Sequence, residues 1–185
     1  MYWTCLNISR DSLCVRLDLK FSHKISSYVS FFQELQLIER CKRLEARFAT
    51  DDELQLYHSK EFLEKISSSK TLTSEEIENL CKEYDSVYMC ADTDNAARLA
   101  TGSSVDLVTN VLDNKIHSGL GLVRPPGHHA MAETPCGFCG FNNIVIAAHT
   151  ALNRGIKKIL IVDFDLHHGQ VLNSWWWSNF FMSSM

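Results

Sequence analysis

The 185-residue sequence lacks several features that mark large classes of protein. No apolar run approaches the roughly 20 residues that a helix needs to cross a bilayer, so no membrane span is expected. Lysine and arginine number 18 against 22 acidic residues, and the net charge is -4. Direct nucleic-acid binding normally needs a basic surface, which this balance does not favour. The composition instead predicts one globular domain with a real core.

A secretory signal is also missing from the first residues. Asn7, Arg10, Asp11 and Arg16 interrupt the N-terminal stretch, which therefore lacks the continuous apolar segment of a signal peptide. The seven cysteines are scattered and odd in number. We expect mostly reduced thiols and a cytoplasmic or nuclear location.

Only one C-x-x-C motif, residues 136–139, is present. A structural zinc site of four cysteines needs a second such pair and is not supported. A thiol redox protein is an alternative interpretation, although the motif lacks the strand that usually precedes a redox pair. Reduction of insulin disulfides would distinguish the redox protein from a hydrolase.

Apolar spacing and capping residues predict helices and strands that alternate in the second half of the chain, which is typical of an α/β fold with parallel strands. Two capping boxes, one strong helix cap and two short apolar strands carry this prediction. The predicted elements are helical spacing from Tyr28 to Ile38, helix starts at Thr50 and Thr73, a helix over 96–112 that Gly102 weakens by up to ~1 kcal/mol, a strand over 120–123, a helix from Asn142 to about Gly155, and a strand over 158–163.

Acidic and imidazole side chains follow the last of these strands. Asp165 and His167 are two residues apart, so an extended backbone would point them to the same side. Open α/β sheets bind ligands at this end of their strands. A carboxylate and an imidazole that converge there can hold a divalent metal, with zinc the best match, or can form a simple strand-end ion pair.

A tandem pair, His128-His129, follows the strand over 120–123. The pair can therefore lie at the same edge of one sheet as Asp165 and His167, presented by a tight turn over 125–127. A metal that polarises water, beside a neutral histidine that accepts its proton, predicts metal-assisted hydrolysis. Taken alone, the two histidines could equally be hydrogen-bonded loop residues.

Four segments occur in a fixed order: 124–130 (RPPGHHA), 137–139 (GFC), 141–142 (FN) and 163–170 (DFDLHHGQ). This combination resembles the zinc-dependent histone deacetylase family, most closely class II and its tubulin-deacetylase-like members. The resemblance runs from about Phe31 to Gln170, roughly three quarters of the chain, and matches the first half of a family catalytic domain. It implies an incomplete three-layer, doubly wound parallel sheet of the arginase/deacetylase type.

The same resemblance divides the chain into a divergent segment over 1–27, a partial deacetylase domain over 28–170 and an unrelated aromatic tail over 171–185. Acetylated proteins such as histone or tubulin tails are the implied substrates. Polyamine deacetylation is an alternative activity, and a truncated isoform that acts only by binding proteins is an alternative role.

Site roles follow from the resemblance, motif by motif. Asp165 and His167 match two of three zinc ligands. His129 matches the general base and acid, and His128 the residue that stabilises charge and positions water. Asp163 matches the carboxylate that orients His128.

Further residues of the implied site are Gln170, Gly137, Phe138 and Cys139. Gln170 falls where the family orients the second histidine, and the other three match the wall of the acyl-lysine tunnel. Main-chain oxygens over 163–167 match a potassium site.

Two family features have no match in this sequence: the third zinc ligand, an aspartate, and the tyrosine that hydrogen-bonds the substrate carbonyl. Both lie downstream of the matched segments. Loss of one oxyanion donor typically lowers the rate by ~10²–10³. The sequence therefore predicts a chain that is inactive, or nearly so, by itself.

Overall fold

The computed structural model describes residues 15–17, 23–163, 165–167, 169 and 180–184. Helices dominate up to residue 112, and helices and strands alternate after it. The elements are β1 (Val15–Leu17), α1 (His23–Glu34), α2 (Asp51–Leu54), α3 (Lys60–Ser67) with a 3-10 turn at Ser68–Lys70, α4 (Ser74–Lys82), α5 (Thr93–Leu112), β2 (Leu120–Leu122), α6 (Asn143–Asn153), β3 (Ile159–Asp163) and β4 (Phe180–Ser184).

Helix starts with a local cap lie where the sequence predicts them. Thr50 and Thr73 each form a complete capping box at the start of α2 and α4. The side chain of Asn142 accepts a hydrogen bond from Val145 N at the start of α6. The predicted continuation of α1 to Ile38 is wrong, because the helix ends at Glu34 and Gln36 adopts a φ of 52°.

The strands form two parallel ladders. In one, β1 pairs with β2, and in the other β3 pairs with β4. The prediction of parallel strands is confirmed, and β1 and β4 are additional strands that the sequence did not predict. The expectation that β2 and β3 share one sheet is not met in the part of the chain that the structure describes, because they belong to separate two-stranded ladders.

The hydrophobic core lies between the helices that precede and follow β2. Its largest fully buried side chains include Phe141, Leu54 and Ile66. Helix α5 crosses this core and packs against α6. A Cβ on Gly102 of α5 would overlap Arg47 O and lie 2.7 Å from Ala49 N. The glycine therefore allows the segment before α2 to pass directly over the helix.

A buried ion cluster fastens α5 to the elements before it. The Asp94 side chain is fully buried and lies 2.6 Å from Lys70 Nζ and 2.9 Å from Arg98 Nε. Arg98 also reaches Asp51 of α2 at 2.6 Å. Buried charges persist only when they are paired, and here each of them has a partner.

Apolar side chains remain exposed near β3. Leu160 is 64% exposed and Leu166 is 90% exposed. No helix among the described residues has the length and apolar character of a membrane span.

Candidate functional site

The two adjacent histidines form the centre of a β-turn after β2. Ala130 N donates to Gly127 O over 3.0 Å, which closes a four-residue turn with His128 and His129 at its inner positions. The imidazole centroids are 4.0 Å apart, and both residues are buried. The histidines therefore lie within the turn itself. The sequence had instead predicted a turn over 125–127 that precedes them.

The carboxylate of Asp163, the last residue of β3, connects this strand to the histidine turn. Asp163 Oδ2 lies 2.9 Å from His128 Nδ1. Asp163 also accepts hydrogen bonds from the main-chain N–H groups of Asp165 (3.0 Å) and Gly169 (2.9 Å). Burial alone would raise the pKa of Asp163, but these three hydrogen bonds lower it to about 2. An ionised carboxylate only accepts, so Nδ1 of His128 carries the proton in this contact.

Asp165 and His167 lie on the same side of the chain. Asp165 Oδ1 accepts a hydrogen bond from His167 N at 2.8 Å and lies 3.8 Å from His167 Nδ1. The Asp165 side chain is 7% exposed and that of His167 is 66% exposed. Strand β3 ends at Asp163. The two side chains are therefore not brought together by an extended backbone. Two successive hydrogen bonds do so, in which Asp165 N donates to Asp163 and His167 N donates to Asp165.

This pair fits part of a zinc site. Two tetrahedral zinc ligands of nitrogen and oxygen lie about 3.3 Å apart, slightly closer than the 3.8 Å between Asp165 Oδ1 and His167 Nδ1. Within the described ranges no group of three or more metal-binding side chains occurs. The pair offers two side chains of the types that bind zinc, whereas catalytic zinc sites use three protein ligands.

The predicted tunnel residues follow the histidine turn, and two of them, Gly137 and Cys139, contact His129. Gly137 and Phe138 have φ values of 52° and 65°. This conformation is strained for Phe138, and hydrogen bonds hold it: Gly137 N donates to Asp85 O at 3.1 Å and Phe138 N donates to Ser86 O at 2.8 Å. The Phe138 side chain remains 49% exposed. The sequence did not single out Asp85 and Ser86, because main-chain acceptors have no residue signature.

Cys139 lies behind the second histidine. Its Sγ accepts from His129 N at 3.4 Å, and the residue is 1% exposed. Burial raises the pKa of the Cys139 thiol to about 12. Since the thiolate is the reactive form, a redox role for the C-x-x-C motif is disfavoured.

The structure thus brings His128, His129, Asp163 and the tunnel residues together, with Asp165 and His167 directly after Asp163. Gln170, assigned to orient the second histidine, lies outside the described residues, as does residue 164 of the predicted potassium site. His58, which lies outside the four motif segments of the sequence, hydrogen-bonds to the loop that follows the histidines.

Comparisons with known proteins show the family of the chain. The Histone deacetylase domain model matches residues 20–180. Polyamine deacetylase HDAC10 of Rattus norvegicus is 42% identical over 154 residues, which are 83% of this chain and 26% of that protein. Histone deacetylase 6 of Caenorhabditis elegans is 36% identical over 149 residues, 80% of this chain and 16% of that protein.

Solved structures give the same result. The crystal structure of the HDA15 HD domain matches with a TM-score of 0.77 at 28% identity, over 94% of this chain and 53% of that one. The fold is therefore the α/β fold of the arginase/deacetylase type, as predicted. The chain belongs to the histone deacetylase family, and its relatives agree with the class II prediction. It spans about a quarter of the length of the curated relatives HDAC10. Zinc dependence is a general property of the family.

Proposed function

We propose that this chain carries the histidine and carboxylate part of a zinc-dependent deacetylase site, which hydrolyses the amide of N-acetyl-lysine in proteins such as histones or tubulin. One observation carries the proposal: the Asp163 carboxylate binds the buried imidazole of His128 at 2.9 Å and accepts a hydrogen bond from Asp165 N, and the Asp165 carboxylate in turn accepts one from His167 N. A cytoplasmic or nuclear location belongs to the same proposal.

In this site each side chain has a distinct task. Asp165 and His167 would hold the zinc, which supplies polarisation of the acetyl carbonyl and of water when it is bound. His128, whose Nδ1 keeps its proton through the contact with Asp163, stabilises charge and positions water. His129 accepts the proton of water and returns it to the leaving lysine amine. Gly137, Phe138 and Cys139 wall the acyl chain.

Two further assignments complete the proposal. Gln170 orients the imidazole of His129, and main-chain oxygens over 163–167 hold potassium. With only two zinc ligands identified, we expect the 185-residue chain to have little or no deacetylase activity by itself.

Zinc binding to the purified chain tests the ligand assignment. Isothermal titration should give one weak zinc site that is lost in Asp165→Asn and in His167→Gln, because each variant removes one of two donors. Replacement of the exposed His117 in His117→Gln is the matched control and should leave binding unchanged. Zinc binding that survives both ligand variants would contradict the assignment.

Acetate release from an acetyl-lysine peptide, with zinc present, tests the activity. We expect a rate no greater than that of the His129→Ala variant. Zinc-dependent release by the original chain that His129→Ala abolishes would support the site but overturn the expected inactivity.

A mono-acetylated polyamine is the second candidate substrate, because relatives named polyamine deacetylase are 39–42% identical over 154 residues. Binding of the acetylated polyamine and of the acetyl-lysine peptide is compared by the shift of the Phe138 ring resonances on titration. Tighter binding of the polyamine would favour the second candidate.

A further inference from the structure

His58 is a buried histidine with both ring nitrogens engaged. It is 3% exposed. Its Nδ1 lies 3.0 Å from Ala132 O, and its Nε2 accepts a hydrogen bond of 2.9 Å from Asn142 N. A carbonyl only accepts and an amide N–H only donates. The ring is therefore neutral, with its proton on Nδ1.

Both partners of His58 belong to the structure around the tandem histidines. Ala132 lies three residues after His129. Asn142 donates from Nδ2 to Ala130 O at 2.9 Å, and Ala130 N closes the histidine turn on Gly127 O. His58 thus holds the chain that leaves the turn directly at Ala132 and indirectly, through Asn142, at Ala130.

Aromatic packing fixes the His58 ring in this orientation. Its centroid is 4.9 Å from those of Tyr57 and Phe62 and 5.4 Å from that of Phe141. Rotation of the ring by half a turn would place a carbon against Ala132 O and another against Asn142 N. Both buried main-chain groups would then lose their hydrogen bonds, which disfavours the rotated ring.

We propose that His58 is a positioning residue for the histidine turn: its Nδ1–H and Nε2 set the path of the main chain after His129 and so the placement of His128 against Asp163. The chemical task of the two histidines rests on the proposed function, but their placement does not. A packing role alone would need the volume of the ring and neither nitrogen.

Three variants of His58 separate the two nitrogens. In His58→Gln the amide oxygen occupies the region of Nε2 and can still accept from Asn142 N. In His58→Asn the amide nitrogen occupies the region of Nδ1 and can still donate to Ala132 O. In His58→Phe both hydrogen bonds are lost and the ring volume is kept. Phe62→Leu is the control. Phe62 packs on the His58 ring, but its side chain forms no hydrogen bond to the chain that follows the histidine turn.

Nuclear magnetic resonance of the 185-residue chain provides two measurements. The first is amide hydrogen exchange at Asn142, with Ile146 N, which donates to Asn142 O, as the internal reference. The second is the downfield proton on Nδ1 of His128, which the Asp163 carboxylate protects. Neither depends on zinc or on turnover, so their outcome is independent of whether the chain proves to be a deacetylase.

In His58→Phe we expect exchange at Asn142 to accelerate about tenfold or more relative to Ile146, and the His128 resonance to broaden or vanish. Phe62→Leu should lower stability yet keep both signals. If His58→Phe does not fold, the comparison uses His58→Gln, which should retain protection at Asn142, and His58→Asn, which should lose it. The proposal is overturned if His58→Phe, or His58→Asn where His58→Phe does not fold, keeps both the His128 resonance and the Asn142 protection seen in Phe62→Leu.

Discussion

At the scale of single residues, Gly137 and the imidazole of His129 are in direct contact. A Cβ at position 137 would overlap His129 Cδ2 and lie 2.9 Å from Cγ. Gly137 also adopts a φ of 52°, which side chains other than glycine disfavour. The glycine thus meets two requirements at once, one of space and one of backbone conformation.

We predict that Gly137→Ala destabilises the chain more than Gly155→Ala does, by at least about 1 kcal/mol. Gly155 has a φ of 90° but no atom within 4 Å of an added Cβ, so its substitution tests backbone strain alone. Urea unfolding of both variants gives the comparison. Equal losses of unfolding free energy would show that the His129 ring yields without cost.

At the scale of helices and strands, local signals decided what could be predicted. The capping boxes at Thr50 and Thr73 each span only four consecutive residues, so both helix starts were predictable from the sequence. Helix α3 was missed, because Ser59 caps it without a glutamate or glutamine at the third helical position, where Phe62 stands. Strand β1 was missed because it has only three residues and its partner, β2, lies about a hundred positions away.

We predict that Asp94→Asn lowers the free energy of unfolding by about 3 kcal/mol, because it removes the buried charge that Lys70 and Arg98 share. Asp92→Asn is the matched control at an exposed position of the same helix end and should change stability by less than about 0.5 kcal/mol. Thermal and urea unfolding check both values. A loss in Asp94→Asn no larger than in the control would exclude a role of this ion cluster in holding α5.

At the scale of the whole molecule, the site joins segments that are distant in sequence. The motifs predicted a set of side chains for the site, and the structure brings two of them, His128 and Asp163, into contact across 35 positions. The supporting contacts could not be predicted: His58 meets Ala132 and Asn142 at separations of 74 and 84 positions. No local pattern encodes a buried imidazole whose partners are main-chain atoms of a remote loop.

This long-range contact predicts a pH dependence of stability. Burial lowers the pKa of His58 from 6.5 to about 4. Below pH 6.5 the unfolded chain binds a proton at His58 that the folded chain does not. His58 therefore does not lower the free energy of unfolding above pH 6.5. As the pH falls from 6.5 towards 4, the free energy of unfolding decreases by up to about 3 kcal/mol.

Urea unfolding at pH 7 and pH 4.5 measures this loss. We expect His58→Gln to show a smaller difference between the two pH values than the original chain, since glutamine does not titrate. The control His117→Gln replaces an exposed histidine and should keep the original difference. An unchanged difference in His58→Gln would contradict the assignment of the slope to His58.

The histidine turn has a mechanical consequence. Both imidazoles grow from the two inner residues of one four-residue reversal of the chain, closed between Gly127 and Ala130. A change in the main-chain torsion angles of this turn moves both rings. A movement of the main chain at this turn therefore displaces both imidazoles, so the position of one ring is linked to that of the other.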